Sequence, residues 1–230
     1  EIPLRLVGSE MCIRDRTFHG PFVDCEAASA PDSEERRHFL DCWRRAFDVY
    51  QEFGARSIVL HTHHMQNIPE ADKDTLRGYA TEAIQAVANM AVERKINLTV
   101  ENVGVRTKSG VLFDQDQYLA LFEQLPAEVG SLIDIGHAFI NHWDVPHVLR
   151  TLGTRIHSFH LHNNNGSADR HRPMFEPGNY YTAEEMCELL LLTNRTAPNA
   201  EWILEYAPGE HISKELIMGD LRTLAALNCK

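Results

Sequence analysis

Imidazole and carboxylate side chains stand at the ends of six short apolar runs in this sequence. His19 follows Thr17 and Phe18, His61 closes the run 57–61, and Glu101 falls in 97–102. Asp134 and His137 end 131–137, His160 and His162 end 156–162, and Glu205 lies in 202–206. These side chains bind divalent cations and carry protons near neutral pH. With 13 histidines and 33 acids among 230 residues, a three-residue window holds one about half the time. Six windows in six then arise by chance roughly once in 64 trials, and the catalytic rim of a βα barrel is where such a set belongs. Burying Glu101, Asp134 and Glu205 together would crowd like charges, a cost that a cation removes. A divalent ion (Mn, Zn, Co or Mg) is therefore the expected cofactor, and no cysteine at a strand end marks a structural zinc.

The runs alternate with amphipathic helices, which predicts parallel βα units. The strand at 17–22 precedes a helix over 34–53 with Phe39, Trp43, Phe47 and Tyr50 at helical spacing and Gly54 as its stop. The strand 57–61 pairs with a helix over 74–94 carrying the stripe Leu76, Tyr79, Ala83, Val87 and Met90, and 97–102 pairs with a helix over 114–125. The strand 131–137 leads to a helix opened by Asp144 and Pro146. The strand 156–162 leads to one from Thr182, where Thr182 and Glu185 make a capping box. The last unit is 202–206 with 213–228. Six such units predict an α/β fold, a (β/α)₈ TIM barrel, although an open doubly wound sheet shares the same local pattern.

A barrel of this type commonly needs about 250 residues, and two units are missing. Residues 1–16 are expected to be a non-native or scar segment, because 8–16 is charged and patternless, and 17–230 to be the barrel domain, truncated at its N-terminus. The mass of 26.2 kDa suits one domain. Cys12, Cys25, Cys42, Cys187 and Cys229 are scattered without a CxxC pair, which fits a reducing, cytoplasmic compartment. No apolar run approaches a membrane span, and no signal peptide is visible. The net charge of -11 makes nucleic acid an unfavourable partner and a small molecule a better one.

As a set, Glu101-Asn102-Val103, Asp134-Ile135-Gly136-His137-Ala138, the run from His160 to Gly166 with Asp169-Arg170-His171, and Leu204-Glu205-Tyr206 resemble the xylose isomerase-like TIM barrels. That superfamily includes sugar phosphate isomerases and epimerases and endonuclease IV. The resemblance covers about residues 17–228. It implies a metal site of Glu101, Asp134, His160 and Glu205, with His137 holding a substrate hydroxyl or a second metal. The fuller zinc cluster of endonuclease IV would add His19, His61, Asp169 and His171. Glu176-Pro177-Gly178 places a proline inside the family's Glu-x-Gly turn.

The function the resemblance implies is a metal-dependent sugar or sugar-phosphate isomerase or epimerase, with Glu101 and Glu205 as base and acid. His19, His61, His137 and His162 are the candidate substrate contacts, and a homo-oligomer is the candidate assembly. Two rivals stand beside it. One is an endonuclease IV-like zinc phosphodiesterase acting on abasic DNA, with Arg106, Lys108, Arg170 and Arg172 as its basic loops. The other is an inactive sugar-binding fragment. Blander roles also exist: Asp134 as a turn cap, His162 as a rim residue or a support behind a ligand, Phe139 and Trp143 as core, and His63 and His64 as surface.

Overall fold

The computed structural model describes residues 17–65, 67–104, 110–207 and 212–228. Its six strands are β1 (Thr17–His19), β2 (Ser57–His61), β3 (Leu98–Glu101), β4 (Gly130–Asp134), β5 (Ile156–Leu161) and β6 (Glu201–Leu204). Every pairing is parallel and the order is β1-β2-β3-β4-β5-β6. A doubly wound sheet reverses its strand order part-way, and this one does not. With right-handed crossovers, a strictly sequential order puts every helix on one face and curls the sheet around the other. The result is a curled partial barrel of TIM type. At its opposite rim Arg56, just before β2, pairs with Glu201 at 2.7 Å.

The helices are α1 (Glu34–Phe53), α2 (Lys73–Glu93), α3 (Gln115–Gln124), α4 (Ile135–Ile140), α5 (Val145–Leu152), α6 (Ala183–Thr196) and α7 (Lys214–Asn228). In α1 the stripe Phe39, Trp43, Phe47 and Tyr50 is buried, Ser33 caps the start and Gly54 ends it at φ +60°. The capping box of Thr182 and Glu185 opens α6. In α2 the buried face is Ala80, Ala83, Ile84, Val87, Ala88 and Ala91, rotated from the expected stripe so that Leu76, Tyr79 and Met90 lie at its margin. Alanines admit a closer approach to the sheet than the larger side chains would.

One boundary differs in a way that matters. The expected strand 131–137 stops at Asp134, and Ile135–Ile140 is helical, because Asp134 accepts a hydrogen bond from the backbone N–H of His137. The charged side chain wins the start of a helix where apolar content alone suggested more strand. His63 also departs from its expected surface position: it is 3% exposed, 3.1 Å from the Thr62 hydroxyl and 2.8 Å from the Gly110 carbonyl. Phe139 and Trp143 are core, against Tyr181 and Tyr118 respectively. Residues 1–16, Arg106, Lys108, Cys12 and Cys229 lie outside the described residues. No helix among the described residues is long and apolar enough to cross a membrane.

Candidate metal centre

Parallel strands point their C-terminal ends one way, and here all six deliver ionisable groups to one rim. Glu101, the last residue of β3, is 1% exposed. Its Oε1 lies 3.1 Å from His160 Nδ1 on β5 and its Oε2 3.2 Å from His61 Nε2 on β2. Glu205, just past β6, brings Oε2 to 2.7 Å from the same His160 nitrogen. Asp134 ends β4, fully buried, with its carboxylate 2.8 Å from His162 Nε2 and 3.9 Å from His160 Nδ1. The ligating atoms of Glu101, Asp134, His160 and Glu205 all fall within 4.8 Å of one another. In a flat sheet β3 and β6 would stand about 14 Å apart, so this meeting depends on the curl.

Two further groups adjoin this one. His19, His61 and Glu101 form the second, and His137, His162, Asp169 and His171 the third. His19 Nε2 faces His61 Nε2 at 2.9 Å. Asp169 bridges His137 Nε2 and His171 Nε2, each at 3.2 Å, and the rings of His162 and His171 stack at 3.9 Å. Glu101 belongs to the first two, and the 2.8 Å contact of Asp134 with His162 joins the third to the first. Between them they contain every site residue named from the sequence. His162, just past β5, is completely buried and supports the Asp134 carboxylate from behind.

The donor set fits a cation. Glu101 Oε2, Glu205 Oε2 and Asp169 Oδ1 are buried without an aligned hydrogen-bond donor, although an imidazole nitrogen lies within ionic distance of each. Oxygens and nitrogens aimed at one another without a well-placed proton are what ligands of a shared ion present. Protons partly stand in for that ion. Burial disfavours the charged imidazole, but Glu101 and Glu205 outweigh it and push His160 up to about 11. Asp134 and Asp169 likewise push His137 up to about 10, and Asp169 and Asp134 raise His171 to about 9. Burial would raise Glu101, yet His160 and His61 hold its carboxyl well below the usual range.

The groups open onto a cavity of about 380 Å³ walled by His19, Phe22, His61, Glu101, His137 and Glu205, among others. A larger cavity of about 650 Å³ between β1 and β6 is lined by Arg56, Glu201 and apolar side chains. It lacks any cluster of imidazoles, so size does not locate the chemistry.

The sequence profile of the xylose isomerase-like TIM barrel family matches residues 13–218. The chain belongs to this family. Solved structures sharing its fold include a D-tagatose 3-epimerase-like protein, with 19% identity, a TM-score of 0.75, and coverage of 93% of this chain and 78% of that one. A protein of Thermus thermophilus soaked with zinc chloride has 20% identity and a TM-score of 0.65, covering 93% and 77%. An AP endonuclease, family 2, from Brucella melitensis has 16% identity and a TM-score of 0.61, covering 84% and 72%. No curated protein matches the sequence.

Several residues that support the site in this member of the family carried no expected role. Asn102 donates its amide to the Asp134 carbonyl at 3.0 Å and accepts from the Asp134 N–H at 2.7 Å, tying β3 to β4 beside Glu101 and Asp134. Asn163 donates to the carbonyls of Met174 and Tyr181, and Asn164 to that of Gly136, shaping the loop that carries Asp169 and His171. Arg172 holds Glu176 at 3.1 Å and the Gly178 carbonyl at 3.2 Å, so the turn at 176–178 is braced by the loop itself. An Asn beside a strand-end ligand was the available signal.

Proposed function

We propose that the protein is a divalent-metal-dependent isomerase or epimerase of a small sugar or sugar phosphate. The observation that carries this reading is the convergence of Glu101 and Glu205, from β3 and beyond β6, on one nitrogen of His160, with both carboxylates lining the cavity. Glu101, Asp134, His160 and Glu205 would hold the ion, which supplies polarisation of a substrate carbonyl and stabilisation of charge on neighbouring oxygens. The Glu205 side chain is 36% exposed whereas that of Glu101 is 2% exposed, so Glu205 meets the substrate as base. Glu101, whose carboxylate meets the same His160 nitrogen, returns the proton at its Oε atoms. His19 and His61 face the outer part of the cavity and suit a sugar hydroxyl, and His137 suits one on the inner side. A cavity of about 380 Å³ falls in the range of small-molecule sites.

The test is solvent-deuterium incorporation at the carbon beside the carbonyl, using metal-loaded protein and a panel of free and phosphorylated ketoses. Glu205→Gln is expected to lose about 10²–10⁴-fold in exchange and turnover while circular dichroism stays unchanged. Wild-type protein that binds metal but neither isomerises nor exchanges any of these sugars defeats the reading and leaves a binding relic.

A second reading has its own support. Three adjoining donor groups, two of them sharing Glu101, suit a polynuclear centre, and such centres cleave phosphodiesters. The net charge of -11 opposes it, as does the engagement of Arg172 within its own loop. Metal analysis separates the two: one ion per chain supports the isomerase, and three ions with nicking of an abasic duplex support the phosphodiesterase.

A further inference from the structure

The floor of the partial barrel, at the rim opposite the metal ligands, holds a polar cavity of about 290 Å³. Its walls come from the starts of β2, β3, β5 and β6, with Ser57, Thr99 and Ser158 among them. Side chains alternate along a strand, so Thr99 stands below Glu101 and Ser158 below His160 on the same inner face. Barrels of this type commonly fill that layer with bulky branched side chains. Here small hydroxyl residues leave it open, and among the described residues Ile156 is the one apolar side chain on its walls.

The lining is suited to hydrogen bonding and balanced in charge. Ser158 is 2% exposed, and its Oγ is buried without a hydrogen-bond partner among the described residues. Thr99, fully buried, donates its hydroxyl to the Ile58 carbonyl at 3.4 Å, a long bond that leaves the oxygen free to accept. At the opening Arg56 and Glu201 neutralise one another at 2.7 Å. Burial, with Arg155 nearby, holds His157 below its usual value, so the ring is neutral, and its Nδ1 lies 3.2 Å from Asn97 Oδ1. Two features seat that ring. β5 advances two residues, Ile156 to Ser158, while β4 advances one, Ser131 to Leu132, and a Cβ at Gly130 would overlap the imidazole.

We propose that this cavity is a binding site for a small neutral polyhydroxylated molecule, a short-chain polyol or sugar. An apolar cavity of this kind stays dry, but a polar one is occupied by molecules that complete its hydrogen bonds. A ligand hydroxyl both donates and accepts, so it satisfies Ser158 and Thr99 whichever way their own hydroxyls turn. An anion would have to face Glu201, and a cation Arg56, so the paired charges favour a neutral ligand. The volume lies at the lower end of small-molecule sites, about 300 Å³. The ligand enters between the Arg56 and Glu201 side chains, which are 55% and 28% exposed. None of these residues belongs to the three metal-competent groups, so the site is independent of the reaction at the opposite rim.

The experiment is equilibrium dialysis of the full chain, kept in EDTA, against radiolabelled erythritol. Saturable uptake of one molecule per chain is expected. Ser158→Ala removes the unpartnered hydroxyl alone and should weaken binding roughly tenfold, the effect of one hydrogen bond. Thr99→Val, of nearly equal volume, should do the same, and it decides the matter if the serine variant does not fold by circular dichroism. Glu205→Gln, at the other rim, should bind as the wild type does. Three results overturn the proposal. One is the absence of saturable uptake, which shows that water alone fills the cavity. Another is unchanged affinity in a folded Ser158→Ala or Thr99→Val protein. The third is uptake lost in Glu205→Gln, which places the ligand at the metal centre.

Discussion

At the residue scale the centre is a balance of buried charges that protons or a cation can satisfy. His160, His137 and His171 are raised from 6.5 to about 11, 10 and 9 by the carboxylates around them, against the pull of burial. A histidine whose folded value lies above its unfolded value stabilises the fold fully below the unfolded value, and that contribution fades as pH climbs to the folded one. The metal-free protein is therefore expected to lose thermal stability from about pH 7 to about pH 10 in the presence of chelator. Metal affinity should move the opposite way, since ligating nitrogens must first shed their protons. Melts with EDTA and with zinc at each pH check both; a chelated protein that grows more stable over that range contradicts the charge balance. The ten residues of the three groups were legible one by one, because acids and imidazoles at strand ends stand out in sequence. The set Glu101, Asp134, His160 and Glu205 followed from the family resemblance, whereas the sorting of the other histidines and Asp169 did not, because it depends on which nitrogen faces which oxygen.

At the scale of the elements, the strand ends are held in register by polar clamps rather than by the ligands themselves. Asn102 makes two buried hydrogen bonds to the backbone of Asp134. Asn102→Ala would leave both backbone groups unpaired, which costs about 1–3 kcal/mol, and by releasing a ligand's backbone should weaken metal binding about 10–100-fold. Denaturant titration and competition with a zinc chelator measure the two separately, and a variant unchanged in both shows that the clamp carries no load. Gly136 serves the same end by its lack of a side chain, since a Cβ there would overlap the His162 ring. Gly136→Ala is expected to displace His162 and lower the number of ions bound per chain, read by metal analysis, while leaving Glu101, Asp134, His160 and Glu205 able to bind. The helices themselves were legible from caps and periodicity, as in α1 and α6. The end of β4 was not, because Asp134 caps α4 with the same carboxylate that faces the metal site.

At the scale of the whole molecule, the sheet is a partial barrel whose outer strands, among the described residues, are β1 and β6. Between them lies the cavity of about 650 Å³ lined by Thr17, Trp202, Leu221 and Leu224. Strand edges and apolar lining left open to water favour association. Light scattering on the purified chain is therefore expected to give a particle mass above the 26.2 kDa of one chain, falling if lysine is placed at Leu221. A stable, monodisperse monomer would show that the gap is filled within the chain.

Local chemistry was enough to write the βα alternation, the family and the identity of the ionisable residues, because helix caps, apolar periodicity and metal-competent side chains are properties of short stretches. Strand order, and with it the curl that brings β3 and β6 within reach of one His160 nitrogen, belongs to the tertiary structure. The partial barrel and the doubly wound sheet share one local pattern and differ only in which strands pair. The burial of His63 and His162 was settled at that same level, by packing between segments far apart in the chain.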